Sequence, residues 1–176
     1  MGFSGQIVYN DAINLPAEVF IAAQTSQMNL WLIAPPIFLL IGIIFALTAA
    51  HRKVTPVRLA WMLAVWPAVT FACLAWLTAA SVNSSPLTIS YVWLPSLNIS
   101  FSLYLDGLSA LFALLVTGIG SLVIIYSGYY FEKDGSSWLF QTYLLTFMAT
   151  MLGLVLAGDV ITLFIFWEGT SLTSFL

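Results

Sequence analysis

The sequence predicts an all-α integral membrane protein: five transmembrane helices, the fifth truncated, with one outer-face β-hairpin. Three observations predict it. Of 176 residues 61% are hydrophobic and 6% charged, whereas soluble chains carry roughly 25% charged residues because polar groups must meet water. The few ionisable residues punctuate neutral stretches of about 20 residues, the length that crosses about 30 Å of hydrocarbon. All four Lys and Arg also fall in alternate connections between those stretches.

Residues 1–28 read as an N-terminal extension. No Lys or Arg precedes Arg52, so the extension lacks the basic start of a secretory signal. Its stretch from Pro16 to Ala23 suits a short amphipathic turn at the outer surface or an unordered tail. Residues 29–80 hold two spans, Asn29 to Ala50 and Leu59 to Ala80, joined by a basic cytoplasmic loop with His51, Arg52, Lys53 and Arg58. In residues 81–106 Leu87, Ile89, Tyr91 and Trp93 alternate with other residues, and after Pro95-Ser96 the alternation resumes at Leu97, Ile99, Phe101, Leu103 and Leu105. A period of two means strand, and two such runs around a Pro-Ser break make an extracytoplasmic β-hairpin.

Residues 107–158 hold the third and fourth spans. Gly107 to Phe131 lies between Asp106 and Glu132, and Gly135 to Gly158 lies between Asp134 and Asp159. Residues 159–176 start a fifth span near Val160 that is still apolar at Leu176. No polar cap, Gly or basic flank follows it, so the chain reads as a fragment cut inside a helix. Arg52, Lys53 and Arg58 lie in the first inter-span loop and Lys133 in the third. Alternating helices put both loops on one side, and the positive-inside bias makes that side the cytoplasm and the N-terminus outer.

Most local motifs have a bland reading. Ser109, Ala113, Thr117 and Ser121, and then Ala149, Gly153 and Ala157, recur every four residues, a spacing of small side chains that lets helix backbones approach in lipid. Gly118-Ile119-Gly120 sits mid-span with no preceding strand and no Lys, so it is no nucleotide loop. Cys73 is a small buried hydrophobe in an apolar run, and His51 is an interfacial flank. The Asn83-Ser84-Ser85 and Asn98-Ile99-Ser100 glycosylation patterns are short enough to arise by chance. Four basic residues are too few for a nucleic-acid face. The chain carries no cofactor motif and no metal cluster, so it does not read as a redox enzyme.

Glu168 is the exception. It lies about 12 Å past Val160 at about 1.5 Å per residue, near the bilayer midplane. A charge there costs at least about 3 kcal/mol, so it must face protein or water and hold a partner or a proton. Thr170, Ser171 and Ser174 follow it as possible supporting polar residues, a composition that suits a wet pathway. No Lys or Arg lies within the spans, so a cationic partner must come from another segment or subunit.

These residues carry a resemblance. Trp93-Leu-Pro-Ser-Leu, Tyr104-Leu-Asp-Gly-Leu-Ser-Ala-Leu-Phe, Met151-Leu-Gly-Leu-Val-Leu and Phe166-Trp-Glu-Gly-Thr-Ser occur in order and at matching separations, from about Pro86 to Leu176. The chain resembles the N-terminal part of the A subunit of Mrp-type sodium/proton antiporters and, more loosely, the ND5-type proton-pumping subunit of respiratory complex I. The resemblance implies a subunit of a hetero-oligomeric complex in the bacterial cytoplasmic membrane, moving protons and sodium. It also implies that Glu168 is the proton-channel glutamate of the Phe-Trp-Glu helix, paired in the family with a lysine two helices on. Two departures stand out. Ala157-Gly158-Asp159 replaces the family's Ser/Ala-Asp-Asn, with Asp159 able to act as N-cap, and Glu168-Gly169 replaces a frequent Glu-Leu. Three readings follow: an antiporter part, a complex I part, or a non-transporting membrane scaffold in which Glu168 is structural.

Overall fold

A computed structural model describes residues 29–49, 55–81, 86–94, 99–131 and 137–176. The N-terminal extension, His51 with Arg52 and Lys53, the Asn83 and Asn98 patterns, the Pro95-Ser96 break and Lys133 lie wholly or partly outside the described residues. Helix α1 is Ala34–Ala49 and α2 is Pro56–Ser81. Strands β1, Leu87–Leu94, and β2, Ile99–Leu105, precede α3, Gly107–Tyr130; α4 is Ser137–Val155 and α5 is Val160–Phe175. Among the described residues four helices are long and apolar enough to cross a membrane, the first counted from Asn29, and α5 is a shorter apolar helix. The chain is a multi-pass membrane protein.

Helix starts are chemically marked. Pro56 opens α2 at a position where its missing N–H costs nothing. Asp106 caps α3 reciprocally with Ser109: each side chain binds the other's backbone N–H at 2.8 Å, satisfying two donors the helix leaves free. The Ser109 amide first, and then the Ser109 hydroxyl beside it, hold the Asp106 carboxyl below its ordinary range.

The first four helices close a ring, α1 against α2, α2 against α3, α3 against α4 and α4 back against α1. Leu39, Leu63, Leu74, Ile124, Leu145 and Leu152 fill its interior, while Ile44, Leu122 and many other apolar side chains face outward, as lipid requires. Small residues set the approach, as the four-residue spacing predicted. Ser109, Ala113 and Thr117 are buried in α3. Gly120 packs on Met148, and Gly128 on Ala60. Gly118, against Phe71, and Gly120 are therefore packing positions, while Ile119 between them faces outward. Trp61, Tyr126, Tyr129 and Tyr130 are exposed at one end of the ring, and Trp31, Trp76, Tyr91 and Trp93 at the other, the pattern of two interfacial aromatic belts.

β1 and β2 form an antiparallel hairpin with Leu87 opposite Leu105 and Tyr91 opposite Phe101, and a register shift between Val92 and Leu94. The predicted alternation holds in part. Leu87, Leu103 and Leu105 are buried, but Ser102, on the polar side of the pattern, is buried as well. The cause is the segment after α4. The Tyr104 amide donates to the Leu156 carbonyl at 2.7 Å and the Gly158 amide to the Ser102 carbonyl at 2.9 Å, with a bridge between Leu103 and Ala157. Helix α4 thus stops at Val155, short of the predicted Gly158, because the next residues pair with β2 as a fragment of a third strand.

Candidate functional site in the fifth helix

Helix α5 packs against α4 and β2 and lies outside the four-helix ring. Its first turn is anchored by Asp159, whose backbone is extended (φ −144°, ψ 165°). Asp159 Oδ1 accepts the Thr162 amide at 2.8 Å, the N-cap bond the sequence allowed. Oδ2 accepts hydroxyl hydrogens from Thr162 at 2.8 Å and Ser102 at 2.6 Å. Thr162 Oγ1 in turn accepts the Ser102 amide at 3.0 Å. Burial pushes the Asp159 carboxyl up, but these donors outweigh it and hold the group below its ordinary range. The departure at Gly158 fits the same arrangement, since a Cβ there would lie 2.8 Å from Ser102 Oγ.

Further along, Phe166 fills the space over Gly153 and lies 5.9 Å from the Phe101 ring, centroid to centroid. Gly169 meets Thr150, whose Cγ2 would be 2.8 Å from an added Cβ, and Thr150 and Thr173 hydroxyls are 3.4 Å apart. Phe166, Gly169 and Thr173 therefore form the face toward α4. The second departure from the family pattern, Gly169, is a close-packing position in this chain.

Glu168 is turned away from that face. It is exposed, as are Trp167, Ser171 and Leu172, and among the described residues it makes no hydrogen bond or ion pair. The supporting hydroxyls are not gathered around it. Thr170 and Ser171 donate to the Trp167 carbonyl at 2.7 and 3.2 Å, and Ser174 donates to the Ser171 carbonyl at 3.0 Å. At about 100° per residue Thr170 points about 160° away from Glu168 and Ser174 about 120°, with only Ser171 on the adjacent row. Such hydroxyl-to-backbone bonds satisfy polar groups in an apolar medium. The site presents the Glu168 carboxyl outward from the five-helix assembly. A carboxyl so placed in lipid demands a proton or a partner docked on this face.

Sequence reasoning found Asp159 as a cap but missed Ser102 and Thr162. Thr162, three residues after a cap aspartate, was a readable signal, whereas nothing local marks Ser102, which is 57 residues from Asp159.

Comparisons with known proteins agree with this architecture. Residues 92–141 match the family described as NADH-ubiquinone oxidoreductase (complex I), chain 5 N-terminus. Na(+)/H(+) antiporter subunit A1 of Staphylococcus haemolyticus is 40% identical over 151 residues, covering 86% of this chain and 18% of that protein. The Staphylococcus aureus A1 subunit is 39% identical over the same shares. Among solved structures, an archaeal membrane-bound sulfane sulfur reductase complex superposes with a TM-score of 0.60 at 26% identity, over 80% of this chain and 22% of the matched one. The Mrp complex from Dietzia sp. DQ12-45-1b superposes with a TM-score of 0.52 at 32% identity, over 78% and 15%. The chain spans about a fifth of the length of the curated relatives it matches. The resemblance read from the sequence is borne out: over most of its length this chain is similar to part of the Na(+)/H(+) antiporter A1 subunits and of the Mrp complex, and over residues 92–141 to the N-terminus of chain 5 of complex I.

Proposed function

We propose that the chain forms part of a cation/proton antiporter subunit in which Glu168 takes up and releases protons along a membrane pathway, within a hetero-oligomeric complex that exchanges sodium. The observation that carries this reading is the position of Glu168 on the exposed face of α5, on the helix that bears the Phe166-Trp167-Glu168 motif. A carboxyl there can meet a cationic helix or a water file, and it can alternate between a charged and a neutral form. The antiporter reading is favoured over complex I membership by relatives named antiporter subunits that match 151 residues, against 92–141 for the complex I chain 5 family.

A lipid-soluble carbodiimide, which attacks protonated carboxylic acids, tests the assignment in vesicles holding the assembled complex. Modification is expected at Glu168, with proton exchange falling in parallel. Parental exchange with Glu168 fully modified would overturn the assignment.

The orientation belongs to the same proposal, with the N-terminus and the hairpin outside. It is supported by the confinement of all four Lys and Arg to alternate connections. Val92 is 57% and Tyr130 69% exposed at opposite ends of the fold. A membrane-impermeant maleimide added outside is expected to label Val92→Cys and to spare Tyr130→Cys; the reverse pattern would invert the topology.

A further inference from the structure

Among the described residues helix α5 packs chiefly against one helix, α4, and meets it through Phe166, which fills the space over Gly153, and through small residues and hydroxyls, Thr150, Gly169 and Thr173. Such a surface permits close approach, with Phe166 the large side chain among them that opposes rotation of the helix about its own axis. The first turn is held differently. A helix cap needs only the bond from the Thr162 amide to Asp159 Oδ1. Here the second carboxylate oxygen is also used, accepting from Ser102 and Thr162, while Thr162 Oγ1 accepts the Ser102 amide. These bonds link β2 to the start of α5 as a closed ring. They are mostly charge-assisted, and the shortest is 2.6 Å, in the range of a strong hydroxyl–carboxylate bond. Gly158 is required beside it, because a Cβ at that position would crowd Ser102 Oγ. The Ser102 carbonyl then accepts the Gly158 amide, so one residue of the hairpin grips the chain on both sides of Asp159.

We infer that Ser102, Asp159 and Thr162 form a positioning latch by which the hairpin sets the rotation and depth of α5. Asp159 is nine residues before Glu168, about 13 Å along the helix, and the latch thereby selects the face on which Glu168 is presented. That last consequence rests on the proton role assigned to Glu168; the latch itself does not. None of the three is a catalytic residue, because each acts through the placement of the helix.

The test is a nitroxide scan of positions 170–175, one label at a time, in the full chain reconstituted in lipid vesicles, with oxygen accessibility as the readout. The parental pattern is expected to peak on the Ser171–Leu172 side and dip at Thr173. In Ser102→Ala, which leaves the N-cap bond intact, the peak is expected to move by about one residue, about 100° of rotation, or to flatten as the helix samples several rotations. Thr162→Val keeps the backbone cap and is expected to act in the same way, whereas Ser102→Thr restores the hydroxyl and the parental pattern. An unchanged pattern in both Ser102→Ala and Thr162→Val would overturn the latch and reduce Asp159 to a helix cap. The readout needs no transport. A dispensable Glu168 would leave a positive scan standing, and an unchanged scan would leave the role of Glu168 untouched.

Discussion

Glu168→Gln is expected to abolish or severely reduce sodium-dependent proton exchange by the assembled complex, with little loss of assembled protein. The reasoning is chemical. The amide keeps the size of the side chain and much of its hydrogen-bonding capacity, but it cannot gain or lose a proton. Exposed on α5, the side chain supports no internal packing that the substitution would break. Folding should therefore be spared while any step that loads a proton at this position is lost, and general acid–base steps are commonly worth about 10²- to 10⁴-fold in rate. Glu168→Asp keeps the acid and withdraws it by one methylene, so partial exchange with a displaced pH profile is expected. Exchange is measured by a pH-sensitive dye in vesicles across the operating pH range. A Gln variant that assembles and exchanges at the parental rate throughout would make Glu168 a structural carboxyl.

The second large effect is on folding. Gly128 of α3 is buried where α3 meets the start of α2. A Cβ added there would fall on the Ala60 Cβ, 3.1 Å from the Pro56 carbonyl oxygen and 3.2 Å from the Val57 Cα. Two of these obstacles are backbone, which cannot turn aside as a flexible side chain would. Gly128→Leu must push the helices apart along a contact that lipid does nothing to restore, because acyl chains are as apolar as the side chains they would replace. Overpacking of this kind costs about 1–3 kcal/mol and sometimes more, and Gly128→Leu is expected at or beyond the upper end. The control is Gly107→Ala, where an added Cβ meets nothing within 4 Å and stability should hold. Gly128→Ala should be intermediate, and pairing it with Ala60→Gly should recover most of the loss by removing the overlapping methyl. Unfolding in detergent, followed by helical circular dichroism, measures each. Parental stability of Gly128→Leu would refute this account of the α2–α3 contact.

What could be read from the sequence follows from which forces act locally. The spans were legible because insertion into hydrocarbon depends on the summed apolarity of about 20 consecutive residues, and charges such as Asp106 and Asp159 mark where it ends. The hairpin was legible because its two strands alternate with a period of two on either side of a break. The place of Glu168 midway along the fifth helix followed from counting residues past Asp159.

Side-by-side placement was not legible, for a physical reason. In a soluble helix the apolar stripe reveals the buried face, but here Ile44 facing outward and Leu39 facing the core are equally apolar, since lipid and protein interior solvate both. Only the packed structure decided that α1 to α4 close a ring and α5 stays outside it, and hence that Glu168 faces outward while Phe166 and Gly169 face α4. The end of α4 was decided in the same way. Leu156 to Gly158 are as apolar as the helix before them, and they leave it because β2 offers hydrogen bonds to the Leu156 carbonyl and the Gly158 amide. The Ser102–Asp159 bond joins residues 57 apart in sequence. No local preference of either residue anticipates it, because its strength exists only once the hairpin and the fifth helix share one end of the bundle.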